Sequence, residues 1–292
     1  MSFQLLLAAL ITGSVYALVA LGLNLIYGTM RLLNVAHGEL VMVGAYVAYW
    51  GMELWRISPL MAAPVAILVA AGLGAIIYYG IFRHAMVSRS FVERIEANSL
   101  LVFFGISVIL QNVTALLFTA DLRGYRYAEQ LVSFGGASLP VNKIMILAIA
   151  GSVCIGSVIF FARSTLGLAI KALIQQREAA ALIGIPVSRI DLISFCIGFG
   201  VASLAGVLVS MTEQISPFMG FPFTVTAFVV IILGGLGNVL GSLLGGLLLG
   251  VLETFGVAFA GPSYRSIMVY GVFIAVLLLR PQGLFGPGRA RT

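Results

Sequence analysis

Long apolar runs follow one another along almost the whole chain, separated by short polar connections. The runs cover approximately residues 3–28, 36–55, 59–82, 99–120, 141–162, 190–212, 221–236, 238–260 and 264–279. A helix needs roughly 20 apolar residues to cross the hydrocarbon core of a bilayer, so the pattern predicts about eight to ten transmembrane helices. A membrane β-barrel would instead show alternating segments of about ten residues. We therefore expect an all-α polytopic membrane protein, with residues 1–292 forming one transmembrane domain.

The composition excludes other classes of protein. Of the 292 residues, 61% are hydrophobic and 9% are charged, whereas roughly 25% are charged in an ordinary soluble domain. So few polar residues cannot cover a soluble fold, and disordered chains are rich in charge. No basic residue precedes Arg31, so the first run lacks the basic segment of a signal peptide and is expected to be retained. Cys154 and Cys196 fall inside predicted spans, which favours buried free thiols.

The basic residues predict the topology. With nine crossings, eleven of them lie on one side and five on the other, and the positive-inside rule places the richer side in the cytoplasm. The N-terminus is then outside and the C-terminus inside, with residues 121–140 as an external loop and 163–190 as a cytoplasmic connection. A re-entrant or split span would change the number of crossings. The basic residues form no continuous patch, so the net charge of +6 does not indicate nucleic-acid binding.

Two regions, near residues 28–39 and 216–241, interrupt the helical pattern at membrane depth. The first contains the polar stretch RLLNVAHGE, and the second contains FMGFPF followed by LGGLGNVLG. Broken segments in both halves of a chain are typical of a transport pathway, because their free backbone groups need a cavity lined by protein. No residue-by-residue internal repeat is evident, and a distant inverted repeat stays open.

Polar side chains inside the spans are candidates for that pathway, since such residues are costly and mark either a pathway or a paired interaction. The candidates are Asn24, Asn34, His37, Glu39, Asn238 and Glu253. We expect the cluster of Asn34, His37 and Glu39 near the cytoplasmic boundary, within reach of water, where a structural network is favoured over substrate contact. Glu213 is expected at the outer surface, and Glu253 has equal chances of facing inward. Three amides either bond between helices, which is favoured, or line a cavity: Asn24, Gln111 and Asn112.

Glycines at four-residue spacing predict tight helix packing late in the chain. They are Gly237, Gly241, Gly245, Gly246 and Gly250. Small residues at this spacing let two helices approach closely on one face, and packing is favoured over a sliding interface.

Nothing in the sequence indicates a cofactor bound by this chain. A P-loop needs Gly-Lys followed by Ser or Thr, whereas the only lysines, Lys143 and Lys171, are followed by Ile and Ala. His37 and Glu39 supply too few ligands for a metal site. No Ser-His-acid arrangement is evident, so an intramembrane enzyme has the least support.

The cytoplasmic connection contains an amphipathic pattern. Ser164 or Thr165 can cap a helix, and the sequence Gly184-Ile185-Pro186 would end it. We expect one short helix at the membrane surface. Its segment Glu178-Ala179-Ala180-x-x-x-Gly184 offers small residues that fit the groove of another protein. A solvated loop helix is the alternative.

This EAAxxxG segment resembles the coupling motif of ABC importer permeases, although the usual downstream Ile-x-Leu-Pro is missing. Four longer stretches resemble the branched-chain amino acid ABC permeases, and the AHGE form near the N-terminus is more similar to the LivH-type subunit than to its LivM-type partner. The stretches are GSVYALVALGLNLIYGTMRLLNVAHGELVMVGAYVA, LGLAIKALIQQREAAALIGIPVSRIDLISFCIGFGVASLAGVL, ILGGLGNVLGSLLGGLLLGVLE and LLLRPQGLFG.

The resemblance implies a permease of the bacterial inner membrane that pairs with a second, homologous permease. Two cytosolic ATPases, which bind ATP and Mg, would drive the pair, and a periplasmic or lipid-anchored binding protein would deliver the substrate. The residues implied to couple to the ATPase are Lys171, Arg177, Glu178, Ala179, Ala180 and Gly184. Docking of their helix on the ATPase would convert closure of the ATPases into alternating access.

The substrate stays open at this point. Branched-chain amino acids are favoured, while relatives in the family handle urea, short amides and aromatic or other carboxylates. A nearly uncharged pathway suits a small zwitterion or neutral solute. A different class, a secondary transporter or channel working alone, would use Glu39, His37 or Glu253 as an ion relay.

Overall fold

A computed structural model describes residues 2–134, 137–280 and 283–284. Its helices are α1 (Ser2–Met30), α2 (His37–Trp55), α3 (Pro59–Ile77), α4 (Arg83–Ala85), α5 (Arg89–Glu93), α6 (Ile95–Phe118), α7 (Val141–Arg163), α8 (Thr165–Gln175), α9 (Arg177–Leu182), α10 (Val187–Ser210), α11 (Gly220–Gly234), α12 (Val239–Ala260) and α13 (Arg265–Leu279). A π-helical turn, Tyr78–Phe82, joins α3 to α4, and a 3-10 turn, Pro262–Tyr264, precedes α13. Strands β1 (Leu131–Phe134) and β2 (Ala137–Pro140) pair antiparallel.

The prediction of an all-α polytopic membrane protein is confirmed. Among the described residues, seven helices are long and apolar enough to cross a membrane. The predicted loop 121–140 contains the short β1–β2 hairpin, which the sequence analysis missed. Cys154 and Cys196 are free. The basic residues Arg289 and Arg291 and part of the terminal LLLRPQGLFG stretch lie outside the described residues.

The helix bundle has two distinct ends, which we call the hairpin end, carrying β1–β2, and the two-helix end, carrying α8 and α9. Helix α1 begins at the hairpin end, where the Gln4 amide lies 3.5 Å from the Ser138 carbonyl. It finishes at the two-helix end, where the Thr29 carbonyl accepts a hydrogen bond of 2.7 Å from Arg177. If its contacts are followed, the described chain passes between the ends nine times, which lies within the predicted range of about eight to ten spans.

Two of these passes are helical over only part of their length, because α2 and α11 begin in the middle of the bundle. The His37 ring at the start of α2 lies 3.0 Å from the carbonyl of Val19, midway along α1. A β-carbon on Gly38 would overlap the carbonyl oxygen of Gly220, so the first turns of α2 and α11 touch. The non-helical segments 31–36 and 211–219 bring the chain back into the bundle. The first interruption is confirmed near its predicted place, and the second begins five residues before the predicted residue 216.

The two broken regions belong to an inverted repeat. Helix α1 packs against α10, α11 and α12, and α10 packs against α1, α2 and α3. Each unit consists of a long helix, a break, a helix that starts at mid-bundle and a second long helix. The units run in opposite directions, since α1 ends at the two-helix end whereas α10 ends at the hairpin end. The repeat that was not evident in the sequence is therefore present in the structure, and inverted repeats of this kind build many transporters.

The core lies between α1 and α10 and continues into an aromatic stack. The ring centroids of Phe82 and Phe103 are 4.9 Å apart, and those of Phe103 and Phe195 are 6.1 Å apart. All three side chains are fully buried. The stack joins the end of α3 to α6 and α10. By contrast, α6, α7 and α13 expose apolar side chains along most of their length, as expected for helices that face lipid.

The glycine-rich stretch packs two helices rather than one. At Gly241 and Gly245 a β-carbon would press on α11, whereas at Gly246 and Gly250 it would press on α1. Gly237 precedes α12 and has a φ of +80°, which favours glycine. The prediction of a single packing face that includes Gly237 is therefore wrong, because this residue forms the turn that leads into α12.

Candidate transport pathway and coupling surface

The polar cluster of Asn34, His37 and Glu39 lies at the centre of the molecule. All three residues are 0% exposed. Glu39 Oε1 accepts hydrogen bonds from Ser107 at 3.0 Å and from Gln111 at 2.7 Å, both on α6. The expectation that water reaches this cluster near a cytoplasmic boundary is wrong, because segment 31–36 returns the chain from the two-helix end to mid-bundle.

Thr224 on α11 ties the two breaks together. Its hydroxyl donates to the Val35 carbonyl at 3.0 Å and accepts from the Gly38 amide at 2.8 Å. Around this junction several buried polar atoms lack a hydrogen-bond partner within the described structure, namely both side-chain amide atoms of Asn34, His37 Nδ1 and Glu39 Oε2. Each such group costs about 1–3 kcal/mol when it is left unpaired. The centre is thus closed to solvent, and several of its buried polar atoms have no hydrogen-bond partner among the described residues.

A second group of predicted residues lies at the two-helix end. The Asn24 amide nitrogen donates to the Asn238 carbonyl at 2.8 Å and to the Ser242 hydroxyl at 2.6 Å, and its oxygen accepts from the Gly237 amide at 2.7 Å. These bonds hold α1 against the turn that starts α12. The predicted interhelical role is confirmed for Asn24.

The other two intramembrane amides behave differently from each other. Gln111 bonds from α6 to Glu39 on α2, as predicted. Asn112 donates to the Val108 carbonyl of its own helix at 2.8 Å and is exposed, so its predicted interhelical role is wrong. The two residues are adjacent on α6, and a step of one residue turns the second side chain away from the core.

The third group surrounds Glu253 toward the hairpin end. Its carboxylate forms an ion pair with Arg265 at 2.6 Å and accepts a hydrogen bond of 2.7 Å from the Tyr16 hydroxyl. Arg265 also donates to that hydroxyl at 2.9 Å. Glu253 therefore faces inward and joins α12, α13 and α1. The role of Arg265 could not be predicted from the sequence, because Tyr16 is distant in sequence and the contact with Glu253 depends on how α12 and α13 associate.

The loop before the hairpin closes over the connection between α10 and α11. The backbones of Arg123 and Ile215 exchange two hydrogen bonds, of 2.9 and 2.7 Å. The Arg123 guanidinium also lies 5.2 Å from the centre of the Trp50 ring. Nearby, the hydroxyls of Tyr125 and Ser210 lie 2.7 Å apart. Burial raises the pKa of Tyr125 to about 12, so this contact stays a neutral hydrogen bond at physiological pH.

At the opposite end, Arg177 connects α9 to both central helices. Its guanidinium donates to the Thr29 carbonyl at the end of α1, at 2.7 Å, and forms a two-pronged ion pair with Asp191 on α10. The Asp191 side chain is only 3% exposed. Arg177, predicted as a coupling residue, therefore points into the permease. The sequence analysis missed Asp191, whose partner lies on a different helix.

The predicted coupling helix is divided in two. Ser164 caps α8 by accepting from the Gly167 amide at 2.9 Å, as expected. The helix then stops at Gln175, and Gln176 is extended, with φ −156° and ψ 102°. The expectation of one continuous helix is wrong. The break turns α9 so that Arg177 can reach α1 and α10.

The remaining coupling residues lie on different sides of this unit. Lys171, Glu178 and Gly184 are exposed, Ala179 is half-buried and Ala180 is buried. The tip also presents two apolar side chains, Leu182 and Ile183, which are 88% and 76% exposed. The sequence analysis did not select them, although large apolar residues beside a helix stop were a visible signal.

Comparison with known proteins agrees with this architecture. Residues 5–277 match the family described as branched-chain amino acid transport system / permease component. The chain belongs to this family. It is similar to the high-affinity branched-chain amino acid transport system permease protein BraD of Pseudomonas aeruginosa, with 33% identity over 97% of this chain and 95% of the relative. It is also similar to LivH of Escherichia coli, with 30% identity over 94% and 92%.

A weaker similarity connects the chain to the other type of permease. LivM of Escherichia coli, another permease protein of such a system, is 27% identical over 92% of this chain and 67% of LivM. No solved structure matches the chain significantly. The family membership and the seven apolar helices establish a multi-pass membrane permease component.

Proposed function

We propose that this chain is the transmembrane permease subunit of an ATP-driven importer of branched-chain amino acids. The observation that carries the proposal is a family match over residues 5–277, supported by relatives that are named for branched-chain amino acid transport. The closed centre fits alternating access, in which the pathway opens to one side at a time. The predicted pathway residues are Asn24, Asn34, His37, Glu39, Asn238 and Glu253, and their place along the pathway and their contact with substrate stay predictions.

Two features support ATP-driven coupling at α8 and α9. Exposed Leu182 and Ile183 form an apolar tip suited to a cleft on another protein. Behind the tip, Arg177 fastens α9 to one central helix of each repeat. Movement of a docked ATPase would therefore act on α1 and α10 together. ATP and Mg would be bound by the ATPase subunits, and no cofactor is assigned to this chain.

In this proposal the two-helix end faces the cytoplasm and the hairpin end faces the outside of a bacterial inner membrane. The partners are a second, homologous permease, two cytosolic ATPases, a periplasmic or lipid-anchored binding protein and the surrounding lipid. The similarity to both LivH and LivM supports a pair of permeases. Nucleic acid is not a proposed partner.

The coupling proposal is tested by replacing Leu182 with Asp in the complete transporter, reconstituted in proteoliposomes. A charge at the centre of a docking contact should reduce both the recovery of ATPase with the permease and ATP-driven leucine uptake, because burying an unpaired charge is costly. Val87→Asp is the matched control, since Val87 is an 86% exposed apolar residue in the connection between α4 and α5. Unchanged uptake in Leu182→Asp would overturn the docking assignment.

The same vesicles distinguish this function from a gradient-driven transporter. We expect uptake to require ATP and all partner subunits and to persist when an ionophore removes ion gradients. Uptake by this chain alone that is abolished by an ionophore would instead show a secondary transporter. Competition of leucine uptake by urea, acetamide and benzoate measures how far the substrate class extends.

A further inference from the structure

A cavity of about 210 Å³ opens toward the hairpin end between α1, α7, α11, α13 and the α10–α11 connection. It continues into a neighbouring cavity of about 310 Å³ that shares Tyr16, Glu213, Phe223 and Arg265. Its floor is therefore close to the Glu253–Arg265–Tyr16 network. Glu253, one of the predicted pathway residues, lines the second cavity.

The first cavity has an apolar part and a charged part. The apolar part is formed by aliphatic side chains and one aromatic ring, from Ala8, Ile11, Val15, Ile146, Val209 and Phe223. The charged part is formed by Lys143, Glu213 and Arg265. Binding sites for small molecules commonly combine mostly apolar walls with a few polar groups that fix orientation.

The charged side chains offer both signs to a ligand. Arg265 directs Nε to Glu253 and Nη2 to Tyr16, which leaves the Nη1 donors, and its side chain is 53% exposed. Glu213 is exposed on the α10–α11 connection and lines both cavities. Lys143 supplies a second cation to the lining of the same cavity.

We propose that this cavity binds the substrate as a zwitterionic amino acid with an aliphatic side chain. The α-carboxylate lies against Arg265 and Lys143, the α-ammonium against Glu213, and the side chain against Ile11, Val15 and Ile146. This inference rests on the proposed function and identifies a receiving site in the permease itself. Selectivity is then shared with the binding protein.

The chemistry of the lining selects among the substrate classes of the family. An amide lacks the carboxylate that Arg265 and Lys143 would bind, and a plain carboxylic acid lacks the ammonium that Glu213 would bind, so either loses one charge-assisted contact. Sites built for hydrogen bonding reject analogues that lack the matching group far more strongly than hydrophobic pockets reject a missing methylene. Urea has neither charge nor an apolar part.

The experiment measures protection of a cysteine by ligand and needs no ATPase. Thr212, exposed on the cavity wall, is replaced by Cys in a full-length chain whose native Cys154 and Cys196 are changed to Ala. The protein is placed in lipid nanodiscs and labelled with a small polar thiol reagent. Leucine at millimolar concentration should slow labelling severalfold, whereas leucine amide and 4-methylpentanoate should not.

Three further variants identify the cause of protection. Glu213→Gln in the Thr212→Cys background should weaken protection roughly tenfold in leucine concentration, because a charge-assisted contact is lost. Glu53→Gln is its matched control and should change nothing, since Glu53 is an exposed glutamate on α2. Ser133→Cys, on the hairpin, should react equally with and without leucine.

Absence of protection, equal protection by the two analogues, or equal protection of Thr212→Cys and Ser133→Cys would each overturn the site. A failure of this site can be distinguished from a failure of the proposed function. Protection without ATP-driven uptake would leave the site and refute the importer, whereas uptake by the wild-type transporter without protection would refute the site alone.

Discussion

The two breaks of the inverted repeat have the same place in their units but very different surroundings. Segment 31–36 starts at the exposed Arg31 and then enters the packed centre, where Asn34, His37 and Glu39 are fully buried. Segment 211–219 includes Thr212 and Glu213, which line an open cavity. Yet α2 and α11 start against each other, joined by Thr224. One break is thus part of the packed centre, and the other is accessible to a ligand.

The comparison shows that the same architectural unit can supply a packed contact in one copy and a ligand-accessible cavity in the other. A broken helix exposes backbone groups that must be satisfied inside a membrane. In the first unit the side chains of Ser99 and Thr224 bind the Leu33 and Gly38 amides and the Val35 carbonyl. In the second unit the connection is longer, reaches the hairpin end and leaves a charged carboxylate at the cavity.

The largest effect is expected where the breaks touch. Gly38→Leu should prevent recovery of folded, monodisperse protein, because a β-carbon at this position overlaps the backbone of Gly220. Overpacking costs about 1–3 kcal/mol where side chains can move, and a rigid backbone contact costs more. Size-exclusion profiles and thermal unfolding in detergent measure the effect. Gly151→Leu, which faces open space on α7, should be recovered like the wild type.

A large effect is also expected where the units are joined at the two-helix end. Arg177→Ala leaves the buried Asp191 carboxylate without its ion pair, which costs about 3–5 kcal/mol for a buried pair. Because part of the Arg177 side chain is exposed, we expect the loss of stability to lie near the lower end of this range. The thermal midpoint should fall, and leucine transported per ATP hydrolysed should decrease. Arg189→Ala, an exposed arginine at the same end, is the control; equal coupling in the two variants would contradict the link.

A smaller effect is expected at Asn24, whose bonds lie outside both breaks. Asn24→Ala removes three hydrogen bonds between α1 and the α12 region. The expected loss is about 1–3 kcal/mol, because the Gly237 amide and the Ser242 hydroxyl lose a buried partner. Thermal unfolding measures it. Asn112→Ala should be nearly neutral, since Asn112 bonds only within α6, and equal losses would show that Asn24 has no special role.

The smallest and most specific effect concerns pH. Partial enclosure raises the pKa of Glu213, Glu253 raises it further and Arg265 lowers it. Lys143 and Tyr16 also line the cavity. Because the ionised carboxylate binds the ammonium, leucine protection of Thr212→Cys should be complete near neutral pH and lost as pH falls. The midpoint of this loss should lie above about 4.3, the usual pKa of a glutamate side chain. The ratio of labelling rates with and without leucine at each pH removes the titration of the cysteine itself.

Local sequence features predicted the architecture better than they predicted the site. Apolar runs placed the helices, and the polar stretch around Asn34 and the Gly/Pro-rich stretch after Ser216 placed the breaks. Ser164, one of the two predicted caps, is the cap of α8, because capping depends on neighbouring residues. These properties are encoded within a few residues of each position.

The pairings that build the site are long-range and could not be predicted in this way. Arg265 meets Tyr16, 249 positions away, and Arg177 reaches Thr29, 148 positions away. Both contacts depend on how the helices associate. The burial of His37 likewise follows from the return of segment 31–36 into the bundle, which hydropathy alone does not show.

The most direct test compares the two breaks in a single preparation. Ala36→Cys, buried beside the first break, and Thr212→Cys, in the second, are labelled separately in nanodiscs with and without leucine. The account predicts that Thr212→Cys reacts readily and is protected by leucine, while Ala36→Cys reacts far more slowly under both conditions. Equal reactivity at the two positions would contradict the difference between a closed first break and an open second break. Reactivity at Thr212→Cys that leucine leaves unchanged would contradict the amino-acid site.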